Sequence, residues 1–288
     1  MKSASRRSVL RALGGLGSLV IFGCGTGSTG DTGSGSGSGD GSGSGSGNSG
    51  TIDTSGFALG SGAYLVGKDY GNPFASGIGT ACTAFVAATK GPCHSNTYFR
   101  KDISDGLSGL PTRFDLLVVD AACNPVPNAI VEVWYASPAG TYSKAAEAID
   151  AGTGYSGSLS DLNTSFCTGN NAAALASNWL RGYQMTGADG RAIIDGIFPG
   201  WYAGRTAHVH FIITANGKTY VTSQILFDET LCSAVYTKHS AYSARGNKDT
   251  SNANDNIVKG GLPLSMALAS SAQQSDGAIL VWKAITIA

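Results

Sequence analysis

The sequence predicts an all-β fold: an antiparallel β-sandwich with long irregular loops and little helix. Short runs of apolar and β-branched residues recur between clusters of Gly, Pro and Asn, which is typical of strands joined by turns. The dipeptide Asn216-Gly217 separates two such runs and is a strong hairpin signal. Residues 171–180 show some helical character, but strands dominate and must bury their apolar faces against one another.

The apolar runs give the order of the strands. They are residues 114–119, 129–135, 182–186, 191–197, 208–214, 219–227 and 278–287. The turn Asn124-Pro125-Val126-Pro127-Asn128 joins the first two runs, which we expect to form a hairpin-like pair. Segments 51–109 and 143–179 are irregular, and we expect them to form the long loops.

The first residues of the chain indicate export. Residues 1–24 resemble a twin-arginine signal, in which Arg6-Arg7 precedes a short apolar run that is too rich in glycine to span a bilayer. Cys24 follows Ile21-Phe22-Gly23, as in a lipoprotein signal. The alternative is a cleaved signal with a chance cysteine. We therefore expect export by the twin-arginine route to the cell envelope, with the protein lipid-anchored, or extracellular or periplasmic.

A linker follows the signal. Residues 25–50 are almost entirely Gly and Ser, which predicts a flexible tether without a core. The remaining residues, 51–288, are long enough for one sizeable domain, which we expect to form the β-sandwich.

Composition narrows the range of partners. The chain has 19 Lys and Arg against 19 Asp and Glu, and no basic stretch, which argues against nucleic acid. No second apolar segment could span a membrane, so a lipid anchor would be the only attachment. Export favours disulfides, and the odd number of cysteines after Cys24 predicts at least one thiol without a partner among them. These cysteines are 82, 93, 123, 167 and 232; two bridges are expected, and their pairing stays open.

Two histidines form half of a predicted metal site. His208 and His210 lie in a predicted strand, where side chains two residues apart point to the same face. Two different sets of further ligands could complete the metal site. Glu229 and His239 would complete a cupin-like site for Fe(II), Mn or Zn. Phenolic oxygens of Tyr142 and Tyr202 would instead give hard anionic ligands, which favour a trivalent ion.

An ordered series of motifs resembles the intradiol ring-cleavage dioxygenases, a family that includes catechol 1,2- and protocatechuate 3,4-dioxygenases. The resemblance covers about residues 82–257 and is greatest for an exported, lipoprotein-like branch. The matching segments are Thr89-Lys90-Gly91-Pro92, Arg100-Lys101-Asp102-Ile103, residues 118–134, Gly140-Thr141-Tyr142-Ser143, Leu180-Arg181-Gly182, residues 199–205, His208-Val209-His210-Phe211 and residues 223–229.

The resemblance implies a non-haem Fe(III) ion held by Tyr142, Tyr202, His208 and His210. It further implies that Tyr202 leaves the metal when substrate binds and that Arg205 stabilises developing negative charge. Gln224 corresponds to a polar residue beside the site. The implied reaction uses O2 to cleave a catechol between its two hydroxylated carbons, giving a cis,cis-muconate-type diacid.

Several alternatives remain open from the sequence. Tyr155 stands in Gly154-Tyr155-Ser156-Gly157, which also looks like the family's tyrosine motif, so either Tyr155 or Tyr142 could supply the first phenolate. A non-catalytic β-sandwich binding module and the cupin-like enzyme are the rival functions. The ring substituents of the substrate and the oligomeric state are not predicted.

Overall fold

The structure is a computed structural model that describes residues 52–78, 82–150 and 153–288. The predicted export signal and linker, residues 1–24 and 25–50, lie outside the described residues. In the ranges that are described, every helix is too short or too polar to cross a membrane.

In the part of the chain that the structure describes, eight strands form two four-stranded sheets, which confirms the all-β sandwich. The strands are β1 Pro111–Val119, β2 Ile130–Tyr135, β3 Arg181–Met185, β4 Arg191–Ile197, β5 His208–Ala215, β6 Lys218–Leu226, β7 Ser270–Gln273 and β8 Ile279–Thr286. The first sheet has the order β4-β1-β8-β7, and the second has the order β3-β2-β5-β6. Buried side chains of both sheets share one core, which includes Phe114 of β1, Val133 of β2 and Phe211 of β5.

The helices are short and lie in the connections. They are α1 Leu159–Asp161, which continues as a π-helical segment Leu162–Cys167, then α2 Ala172–Ala176, α3 Glu229–Lys238, α4 Asn256–Lys259 and α5 Leu264–Ala267. Single 3-10 turns occupy Thr54–Gly56, Gly62–Leu65, Ser243–Arg245 and Asn252–Asn254. The sequence did not indicate α3, whose N-cap Asp228 accepts a hydrogen bond from the Leu231 amide at 3.0 Å.

The expected hairpin between the first two strands is wrong. Strand β1 pairs with β4 in antiparallel and with β8 in parallel orientation, whereas β2 pairs with β3 and β5 in the other sheet. All nine residues of β1 are buried, so this strand needs a hydrogen-bonding partner on both edges. The Pro-rich turn instead carries the chain from one sheet to the other, and Asn128 in it has a φ of 58°.

In the described ranges, two disulfides and one free thiol account for the five cysteines after Cys24, as expected. The Cys82–Cys123 bridge lies next to the turn between β1 and β2, and we call it the turn disulfide. The Cys93–Cys167 bridge anchors the long loop after β2, and we call it the site disulfide. Cys232 is free and buried in α3.

A second apolar cluster covers the outer face of the second sheet. Trp134 points away from the central core and packs there with Tyr142, Leu162 and both cysteines of the site disulfide. The long loop between β2 and β3 thus encloses this face of the sheet, and the outward-facing His208 and His210 of β5 are buried beneath it.

Candidate metal centre

Strand β5 separates the central core from the candidate site. Val209 and Phe211 point into the central core, while His208 and His210 alternate with them and point outward. Both histidines are only 3% exposed, and their ring centroids lie 4.8 Å apart. The predicted pair therefore shares one buried face.

Two tyrosines bring phenolic oxygens to these imidazoles. The Tyr142 hydroxyl lies 3.3 Å from Nε2 of His208 and 3.2 Å from Nε2 of His210. The Tyr202 hydroxyl lies 3.2 Å from Nε2 of His208. The two tyrosine-bearing segments pack closely because residue 200 is glycine; a β-carbon there would collide with the carbonyl oxygen of Ser137.

The four donor atoms fit a single metal ion. Ligand atoms that each lie about 2.0–2.1 Å from one first-row metal ion are roughly 3 Å from one another at ordinary coordination angles, close to the separations observed here. Two phenolic oxygens with two imidazole nitrogens favour a hard trivalent ion. Elsewhere in the described ranges, no three His, Cys, Asp or Glu side chains are grouped so that they could hold a metal.

The surroundings of both histidines favour the neutral imidazole, which is the form that binds a metal ion. Nδ1 of His208 lies 2.7 Å from the Thr206 carbonyl oxygen, which can only accept, so Nδ1 carries the proton and the Nε2 lone pair faces the tyrosines. Burial, and then the Arg205 charge, lowers the pKa of His208 to about 3. Burial, with the neighbouring His208, likewise lowers the pKa of His210 well below its usual range.

The phenol of Tyr142 needs a cation in order to ionise. Burial, followed by the charge of Tyr202, raises the pKa of Tyr142 well above its usual range, while Arg205 and Arg181 act in the opposite direction. A bound ferric ion would supply the missing positive charge.

Arg205 is held rigidly beside the four donors. Its Nε donates to Asp255 Oδ2 at 2.8 Å, and its Nη2 donates to Gln224 Oε1 at 2.5 Å. Asp255 also accepts the Thr206 amide at 2.9 Å and is fully buried. Burial alone would raise the pKa of Asp255, but the Arg205 guanidinium lowers it, so the pair is ionised.

The predicted polar neighbour Gln224 therefore holds the arginine. Its Nε2 donates to the Thr89 carbonyl at 3.3 Å, which connects the arginine to the segment before Gly91. Asp255 was not predicted; the one local signal is its place as the N-cap of α4, where Oδ1 accepts the Ile257 amide at 2.9 Å.

His210 is packed by two further residues. The Trp134 ring lies parallel to the imidazole, with 4.9 Å between centroids and 7° between planes. Gly91 has a φ of +76°, and a β-carbon at this position would lie 2.9 Å from His210 Cε1. The matched segment Lys90-Gly91-Pro92 thus includes a glycine that allows the backbone to lie against a candidate ligand.

The other candidate ligands lie elsewhere. Tyr155 packs against Phe166, with 5.2 Å between ring centroids, so Tyr142 and not Tyr155 contacts the histidines. Glu229 pairs with Lys248 at 2.7 Å. The His239 Nε2 lies 2.9 Å from the carbonyl oxygen of Ala58, and its Nδ1 accepts a backbone amide at 3.1 Å. The structure therefore does not assemble the cupin-like set of His208, His210, Glu229 and His239.

Comparisons with known proteins bear on the fold and the family of this chain. A comparison with curated proteins gives no match. Among solved structures, the intradiol ring-cleavage dioxygenase from Tetranychus urticae is 24% identical with a TM-score of 0.58, and the alignment covers 72% of this chain and 95% of that chain. This likeness shows the fold.

Two other structures are less similar. The dioxygenase domain of a dioxygenase–carbohydrate-binding protein fusion from Streptomyces sp. SirexAA-E is 19% identical, with a TM-score of 0.45 and coverage of 71% of this chain and 98% of that chain. Catechol 1,2-dioxygenase from Pseudomonas arvilla C-1 is 18% identical, with a TM-score of 0.42 and coverage of 70% of this chain and 61% of that chain.

The sequence profile of the family described as Dioxygenase matches residues 84–254, a span that includes both tyrosines, both histidines, Arg205 and Gln224. Because this match covers more than half of the sequence, the chain belongs to the dioxygenase family, in the intradiol ring-cleavage group that its motifs resemble.

Proposed function

We propose that this protein is a non-haem Fe(III) intradiol dioxygenase that cleaves catechol-type rings with O2 to cis,cis-muconate-type diacids. The observation that carries the proposal is the convergence of the Tyr142, Tyr202, His208 and His210 donor atoms, with oxygen–nitrogen separations of 3.2 to 3.3 Å. Bound Fe(III) would act as a Lewis acid toward a catecholate that chelates it through both oxygens.

The two tyrosines have different surroundings, which supports different roles. Tyr142 is buried at 3% exposure, whereas Tyr202 is partly exposed. We propose that Tyr142 is the permanent ligand and that Tyr202 is displaced when substrate binds. A displaced Tyr202 phenolate would then be able to accept a proton from the substrate hydroxyl.

Arg205 would act on negative charge that develops on the substrate. Its guanidinium is fixed by Asp255 and Gln224, so no reorganisation is needed at the moment of reaction. Burial of the arginine strengthens this electrostatic effect because water does not screen it.

The visible spectrum of the ferric protein tests the proposal. We expect a tyrosinate-to-iron charge-transfer band, a shift to longer wavelength on anaerobic addition of catechol, and loss of that complex when O2 is admitted. Tyr142→Phe should change the band strongly, whereas the matched control Tyr155→Phe should leave it unaltered. A protein that stays colourless after loading with ferric iron would refute the assignment and leave the binding module as the better explanation.

We also propose that residues 1–24 direct export by the twin-arginine route and that Cys24 carries the lipid anchor. Arg6-Arg7 and the apolar run before Cys24 support this. Cell fractionation tests it, because Cys24→Ala should move the protein from the membrane fraction to the soluble envelope fraction. An unchanged membrane fraction would contradict lipid anchoring.

A further inference from the structure

Arg181 is a buried arginine that the proposed reaction does not use. It opens strand β3 and is 1% exposed. Its Nε and Nη2 donate to the Ser143 carbonyl at 2.9 and 2.6 Å, and Nη2 also donates to the Cys93 carbonyl at 2.7 Å. The guanidinium therefore holds the backbone carbonyl of Ser143, the residue that directly follows Tyr142.

The site disulfide joins the two cysteines whose carbonyl groups accept hydrogen bonds from Arg181 and from Tyr142. The Tyr142 amide donates to the Cys167 carbonyl at 2.8 Å, while the Cys93 carbonyl accepts from Arg181. The Tyr142 segment is thus held directly by Cys167 and, through Arg181, by Cys93, and these two cysteines are joined to each other.

Arg181 lacks the carboxylate that a buried arginine ordinarily has. Arg113 pairs with Asp195 at 2.7 Å and Arg205 pairs with Asp255 at 2.8 Å, but Arg181 forms no ion pair with any described residue. Its Nη1 also has no hydrogen-bond partner in the described ranges. A buried charge without a partner is strongly unfavourable, so a counter-charge is expected nearby.

The neighbouring acids do not supply that charge. The charge of Glu132 favours the charged form of Arg181 from a distance. However, the Glu132 carboxylate contacts His94 and not Arg181, with 2.7 Å between Oε1 and the His94 Nε2. Burial lowers the pKa of Arg181 to about 10, so the guanidinium is still charged at neutral pH. The guanidinium carbon lies 5.8 Å from the centroid of the Tyr142 ring.

We propose that Arg181 is a positioning residue of the metal centre, which fixes the Tyr142 turn through the Ser143 carbonyl and supplies the counter-charge to the Tyr142 phenolate. This inference rests on the proposed function, since the phenolate exists only when a cation binds. A positive charge beside a phenolate lowers the energy of its donor orbital, so removing the charge moves the charge-transfer band to longer wavelength. Removing the guanidinium also releases the Tyr142 turn from the hydrogen bonds that hold the Ser143 carbonyl, so the donor is positioned less firmly and ferric binding weakens.

Three variants and one control test the proposal in the full chain. Arg181→Met removes charge and hydrogen bonds, Arg181→Gln removes charge but retains a donor for Ser143, and Arg181→Lys retains charge but loses the fork of donors. The control is Arg100→Met, because Arg100 Nε donates to the Arg181 carbonyl at 3.1 Å and so braces the same segment. Ferric affinity is measured by competition with a chelator, and band position is measured on the loaded protein.

The expected results separate charge from packing. Arg181→Met and Arg181→Gln should weaken ferric binding between about tenfold and a hundredfold, as the loss of an outer partner of a metal ligand typically does, and should move the band to longer wavelength. Arg181→Lys should keep the wild-type wavelength with weaker binding. Arg100→Met should keep both, even if the thermal midpoint falls.

The outcomes distinguish this proposal from the proposed function. A wild-type protein that forms no band refutes the function itself. A wild-type band combined with an unchanged wavelength in the glutamine variant refutes the Arg181 proposal alone. If the methionine variant does not fold, the glutamine and lysine variants still decide, because a shift of equal size in both would assign the effect to packing and would also overturn the proposal.

Discussion

Substituting Gly91 by alanine should damage the metal centre more than it damages the fold. Gly91 has a φ of +76°, and its β-carbon would lie 2.9 Å from His210 Cε1, where ordinary contacts begin at 3.4 Å. Either the backbone or the imidazole must therefore move by roughly half an ångström, whereas metal–ligand distances tolerate only about 0.2 Å.

The loss of stability expected for Gly91→Ala has two parts. A non-glycine residue in the left-handed region costs about 1–2 kcal/mol. Overpacking against a buried side chain adds about 1–3 kcal/mol. Gly91→Ala should therefore lower the free energy of unfolding by about 2–5 kcal/mol, and the second part acts on a candidate ligand.

Gly106→Ala is the matched control. Gly106 has nearly the same φ, +78°, but a β-carbon there would meet nothing within 4 Å. Urea unfolding and chelator competition should show that Gly106→Ala loses only the backbone part and binds ferric iron normally. Equal stability losses and equal ferric affinities in the two variants would refute the close approach of Gly91 to His210 as the reason for this glycine.

Two further perturbations test the neighbouring supports. Asp255→Asn leaves the Arg205 guanidinium buried without a carboxylate and should lower stability in urea by about 3–5 kcal/mol; a neutral-pH stability equal to wild type would contradict the pair. Because the folded-state pKa of Asp255 is lowered, this stabilisation is complete above the ordinary carboxyl pKa near 4 and is lost as the pH falls through the folded-state value, so the two proteins should converge in acid. Replacing either disulfide by serines should lower stability by about 4 kcal/mol, since the bridges close loops of 74 and 41 residues. Only loss of the site disulfide should weaken ferric binding, and equal ferric affinities in the two serine variants would contradict its role in fixing Tyr142.

Strand positions could be predicted because they depend on local pattern. The run 191–197 is β4 as observed, and alternation along β5 correctly separates Val209 from His208 and His210. The partner of each strand could not be predicted, because pairing joins residues that are distant in sequence. In β1, Arg113 looks like a solvent-facing residue but is buried in an ion pair with Asp195, so the strand is central although its pattern does not show it.

The residues of the candidate site that lie together in one sequence motif could be predicted. The His-x-His pair and Tyr202 lie within one short stretch, and the structure brings their polar atoms together. The choice between Tyr142 and Tyr155 depends on how the long loop folds over the sheet, which no local pattern determines. Asp255 and Arg181 could be recognised only once the fold had shown what each of them contacts.

The parallel pairing of β1 with β8 also has a consequence for the rate of folding. Thr112 pairs with Ile279, so the strand at the middle of the first sheet joins segments on either side of the four candidate metal ligands. Contacts of such long sequence separation slow the search for the native topology, because loop-closure entropy is lost before they form. The second sheet, whose β5 and β6 are adjacent in sequence, can form early, and the histidine-bearing face would then be present before the sandwich closes over its core.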